Sequence, residues 1–244
     1  MSTGVRKLFL LHFVANALLL WLGYEWLGVG ESTGARLVLS ALDALAILAL
    51  VCWLHGATFA FFRLGSGINA AFRSALRDLV PLLIAALLVL VLYGAVAWAA
   101  AASPQPAFKL ASWLTLKLRT PVKPTTIARA FNVGFWILRW AVLPVALLPM
   151  AAGIATRGWR GFGEFTWRAG WRYWLTVPLL LASGFILPFA VLAMVPAVKS
   201  FGHELLSFAV RALLAYLLLV SSALALAFAT SRGRASALQS EPRA

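Results

Sequence analysis

Residues 37–54, LVLSALDALAILALVCWL, place one charged side chain, Asp43, in a run of eighteen positions. At about 20 apolar residues per crossing, a run like this is long enough to traverse a bilayer. Five further apolar blocks share its character, and together they predict spans at about 8–29, 37–60, 79–101, 130–154, 173–197 and 206–230. Lipid offers no partner to a backbone N–H or C=O, so each span is expected to be helical. A membrane barrel would show alternating segments of about ten residues, and these blocks do not alternate. The expected fold is an all-α integral membrane protein. A bundle of six transmembrane helices forms one polytopic domain over 1–235, with a short polar tail at 236–244.

Composition supports that class. Only 11% of the 244 residues are charged, against about 25% in soluble domains, and the mean hydropathy is +0.91. The net charge of +14 comes from 21 Lys and Arg against 7 Asp and Glu. Such a surplus could serve nucleic acid, but here the basic residues flank apolar spans. That placement suits anionic phospholipid headgroups and topology control, and no nucleic-acid partner is expected. The single cysteine, Cys52, lies in a span and reads as a small buried hydrophobe; it allows no intrachain disulfide. The start, MSTGVRKLFLLHFVANALLLWLGYEW, lacks the short core and small-residue cleavage site of a secretory signal, so it reads as a retained first span.

Orientation follows from where Lys and Arg collect. One side gathers twelve: Arg6, Lys7, Arg63, Arg73, Arg77, Arg157, Arg160, Arg168, Arg172, Arg232, Arg234 and Arg243. The other gathers eight: Arg36, Lys109, Lys117, Arg119, Lys123, Arg129, Lys199 and Arg211. Twelve against eight places both termini in the cytoplasm of a bacterial-type inner membrane. Much of the opposing charge sits in one connector, where 107–120 reads as an interfacial element anchored by Trp113, although LTLKLRT also alternates like a strand. Thr125 or Thr126 is the expected N-cap of the fourth span.

The even-numbered spans leave through similar basic turns, FFRLGSG (61–67), ATRGWRG (155–161) and ATSRGRA (229–235). After the first two comes a basic, half-apolar elbow, INAAFRSALRDL or GEFTWRAGWRYWL, with Arg73 and Arg77 spaced like Arg168 and Arg172. This reads as a helix–elbow–helix unit used twice in one orientation. The elbows and turns supply Arg73, Arg77, Arg157, Arg160, Arg168 and Arg172 as contacts for anionic lipid. Asp78 and Glu164 are expected to balance local charge.

Catalytic motifs are scarce. HELLS at 203–207 has the first His and the Glu of a metalloprotease helix but Ser207 where the second His belongs. LGSGINA lacks nucleophile-elbow spacing, and no phosphate-binding loop or metal-ligand cluster is found. No catalytic or metal residue is assigned. His12 and His55 fall near the same end of neighbouring spans, which leaves a bis-His haem as a remote reading; no cofactor is expected. Span five carries Pro178, Pro188 and Pro196, and Pro188 is expected to kink it at the carbonyl of Gly184.

Asp43 has a candidate counter-ion in Arg139, inside span four, with Asn132 on the same stripe and Ser40 nearby to satisfy leftover groups. Arg211 competes as the partner. Intramembrane charge marks a site by default, and Asn16, Thr176 and Ser183 would complete a polar lining. The plainer reading is that the pair fixes helix packing. The function expected is a non-enzymatic multi-pass membrane protein, either an accessory subunit of another membrane protein or a lipid-contacting scaffold. A small permease or carrier for a polar or anionic solute, with its site at Asp43 and Arg139, is the alternative. A membrane enzyme acting on lipid comes third.

Overall fold

The computed structural model describes residues 3–30, 32–65, 67–164, 170–197 and 200–239, with side chains described as far as residue 231. Among them no strand occurs. The helices are α1 (Thr3–Leu27), α2 (Gly34–Leu64), α3 (Ile68–Arg77), α4 (Leu79–Ala102), α5 (Pro104–Leu118), α6 (Pro124–Ile137), α7 (Leu143–Arg157), α8 (Trp171–Leu181), α9 (Leu187–Ala193) and α10 (Phe201–Gln239). A π-helical turn, Leu138–Val142, joins α6 to α7, and another, Ala182–Ile186, joins α8 to α9. Six helical stretches are long and apolar enough to cross a membrane: α1, α2, α4, 124–163, 171–193 and 201–231. The six apolar blocks of the sequence thus become six such stretches, with ends that move. The first begins at Thr3, and the fifth stops at Ala193.

The outer faces of these helices are apolar. Val91, Trp98 and Leu179 are each about 70% exposed. In water such a surface would drive association; hydrocarbon is the solvent that matches it. Inside, small residues let helices approach closely. Ala57, Ala60, Ala71 and Ala75 are fully buried where α3 folds back along α2. A Cβ at Gly56 would stand 2.6 Å from Leu82 Cδ1 of α4. Trp53 of α2 closes that seam by donating its indole N–H to the carbonyl of Phe72 at 3.0 Å.

Both π turns have the same cause. Pro144 and Pro188 carry no N–H, so the regular ladder fails just before each. Leu143 instead donates to the carbonyl of Leu138, and Leu187 to that of Ala182. The carbonyl of Arg139, left without a helical donor, accepts from the Tyr93 hydroxyl of α4 at 2.9 Å. The two turns are neighbours, with the rings of Trp140 and Phe185 6.0 Å apart.

The fourth stretch starts earlier than its apolar block, at Pro124, and Lys123 caps it without a side-chain bond. This corrects the expected N-cap: Thr125 and Thr126 lie inside the first turn, because Pro at the first helical position is preorganised for the start and needs no donor. Residues 115–118, which alternate like a strand, are the last turn of α5, closed at Arg119 with φ 53°.

One end of the bundle holds the start of α1, the end of α2, α3, the end of α7, the start of α8 and the Phe228 region of α10. We call it the proximal end. The basic turns at 61–67 and 155–161 fall there, but the third, expected at 229–235, does not form: α10 continues as helix through it to Gln239. At the two turns α2 and α7 end on glycines of positive φ, Gly65 at 61° and Gly158 at 57°, a conformation that costs glycine little.

Candidate functional site

The proximal end contains the main ionic cluster. Arg63, in the last turn of α2, donates from Nη2 to Glu164 Oε2 at 2.5 Å, with side chains 16% and 10% exposed. Arg157, in the last turn of α7, pairs with the other carboxylate oxygen, Oε1. Glu164 can reach both because the 3-10 turn Gly158–Gly163 folds back on α7. That fold-back needs glycine. A Cβ at Gly161 would lie 2.2 Å from the backbone N of Ile154, and one at Gly153 would lie 2.6 Å from Glu164 Cδ. Asp78, at the α3–α4 junction, is buried and pairs with Arg77 at 3.5 Å. Its Oδ1 would stand 2.9 Å from a Cβ at Gly158.

A second polar cluster lies between α1 and α2. His12 is fully buried; its Nε2 meets Thr58 Oγ1 at 2.5 Å, and its Nδ1 meets Asn16 Nδ2 at 3.1 Å. Thr58 in turn donates to the carbonyl of Leu54 at 2.8 Å. His55 packs edge-on against His12, with ring centroids 5.4 Å apart. Both ring nitrogens of His12 are therefore engaged by protein groups, although an axial haem ligand needs one of them directed at the iron.

The polar residues singled out within the spans do not converge. Asp43 is on the exposed face of α2, and no ion pair joins it to Arg139. Arg139 lies in the first π turn with its Nε buried and without a hydrogen-bond acceptor. Asn132 is exposed on α6. Arg211 caps the end of α9 by donating from Nη1 to the carbonyl of Leu192 at 2.6 Å, the place where a cation complements a helix C-terminus. Ser40, buried on α2, accepts from the indole of Trp26 at 3.1 Å. Thr176 and Ser183 share a flank of one helical stretch, yet only Ser183 is covered; its hydroxyl meets Ser222 of α10 at 3.0 Å. Thr176 is exposed and bonds back to the carbonyl of Arg172.

Of the six arginines proposed for lipid contact, Arg73, Arg77, Arg157, Arg160 and Arg172 are exposed at the proximal end, and Arg168 lies outside the described residues. Sequence reasoning missed Arg63 and Thr58 as partners. The density of glycine around Glu164, at 158, 161 and 163, was the available signal that the turn packs tightly.

Comparison with protein-family models, with curated proteins and with solved structures finds no match to the chain.

Proposed function

We propose that this is a non-enzymatic multi-pass protein of a bacterial-type inner membrane, with both termini in the cytoplasm, which works as a lipid-contacting scaffold or accessory subunit. One observation carries the reading. At the proximal end the two buried carboxylates are already engaged, Glu164 by Arg63 and Arg157 and Asp78 by Arg77. Arg73, Arg160 and Arg172 remain exposed around them. A cationic rim on an apolar bundle suits the phosphates of an anionic leaflet, each basic residue contributing about 1 kcal/mol near such a surface. Native mass spectrometry in mixed lipid tests this. Phosphatidylglycerol should be retained over phosphatidylcholine, and the preference should fall when Arg73, Arg77, Arg157, Arg160, Arg168 and Arg172 become Gln. Equal retention of both lipids would overturn it.

A carrier for an anionic solute is the second reading, favoured by Arg139, whose buried Nε has no acceptor. Thermal stabilisation by a small anion, abolished in Arg139→Gln, would move this reading ahead of the first.

A further inference from the structure

Between α1 and α10 the proximal half of the bundle is grooved. The groove has a volume of about 820 Å³, and its walls are Phe9 and Leu10 of α1 facing Leu224 and Ala225 of α10. Phe62 and Phe228 form its floor, edge to face with centroids 5.5 Å apart. The lining is apolar except at two points. Arg6 stands at the end where α1 begins, and Ser221 stands toward the middle of the bundle. From Ser221 to Phe228 the groove runs seven residues of helix, roughly 10 Å at 1.5 Å per residue.

We propose that this groove is a site for one acyl chain of an anionic phospholipid, whose phosphate is held by Arg6. The assignment rests on the lipid-contacting reading above and adds to it a single defined site. Polarity is the argument. The cation lies at the end of the groove nearest the membrane surface and the apolar walls run inward, the same order as headgroup and chain in a leaflet. No carboxylate among the described residues pairs with Arg6, and a phosphate at this end of the groove supplies the matching charge. The aromatic floor and the small Ala225 leave space that a flexible chain fills without moving a helix.

The test is native mass spectrometry of the full chain after delipidation and titration with phosphatidylglycerol or phosphatidylethanolamine. Wild type should bind one phosphatidylglycerol more tightly than all later ones. Ala225→Trp, which fills the groove, should lose that first site. Arg6→Gln should keep a bound chain but weaken phosphatidylglycerol about fivefold, the ratio matching about 1 kcal/mol per basic residue. The variant with six arginines changed to Gln should retain the first site, so failure of the groove and failure of the cationic rim are read separately. Melting temperature in pure detergent checks that each variant folds; should Ala225→Trp unfold, Leu224→Phe replaces it. Tight first-site binding that survives groove filling would overturn the proposal. So would equal affinity for the two lipids in wild type, free phosphate displacing the lipid, or a dimer that dissociates in Ala225→Trp, which would make the groove a self-contact.

Discussion

Arg63 and Glu164 are 101 positions apart in the chain and meet at 2.5 Å between Nη2 and Oε2. The contact ties the last turn of α2 to the segment following α7. Because both side chains are largely buried, removing one strands the other in a medium of low dielectric.

Glu164→Gln should therefore destabilise the detergent-solubilised protein by about 3 kcal/mol, the lower end of the cost of breaking a buried pair. Arg157→Gln should cost less than 1 kcal/mol, since its side chain is 44% exposed and screened. Replacing both Arg63 and Glu164 by Met should restore much of the loss, because the one charge then left without its partner, Arg157, is 44% exposed and solvated. Thermal or denaturant unfolding reads this directly; equal losses for Arg157→Gln and Glu164→Gln would show that burial does not govern the cluster.

Glycine in the 3-10 turn gives a sharper contrast. Gly161→Ala would push a Cβ to 2.2 Å from the backbone of Ile154, whereas Gly163→Ala meets nothing within 4 Å. Since backbone cannot yield as a side chain can, Gly161→Ala should cost about 3 kcal/mol, the upper end for overpacking. Gly163→Ala should be close to neutral. Similar melting temperatures for the two variants would mean that the turn does not pack on α7 as described.

Asp43 and Arg139 give a prediction of independence. With Asp43 exposed on α2 and Arg139 in the π turn after α6, no contact links them. The effects of Asp43→Asn and Arg139→Gln should add to within about 0.3–0.5 kcal/mol in the double mutant. A double mutant more stable than that sum would show that the two charges meet.

These cases mark how far the sequence can be read. Length and hydropathy suffice to locate six membrane-length helices, because the apolar run is a local property of the chain. The buried face of α3 is readable in part: Ala71 and Ala75, four apart in the half-apolar elbow, share a face and are buried, whereas Leu76 is 55% exposed. Pro188 signals an interruption, and the structure resolves it as a π turn. The matching turn before Pro144 has the same cause but was not expected. Pairings between spans are different in kind. Asp43 faces Arg139 only if the rotation of each helix about its axis is known, and lipid-facing and core-facing stripes are both apolar. Hydropathy therefore carries little of that rotation. Glu164 was expected to balance nearby charge, and it does so partly through an arginine on another helix.

In the proposed orientation the turns at 61–67 and 155–161 and the basic 229–235 stretch of α10 lie together on the cytoplasmic side. Reporter fusions after residues 67, 119, 161 and 235 decide that orientation. Cytoplasmic signals are expected at 67, 161 and 235 and an external signal at 119. An external signal at 161 would contradict it.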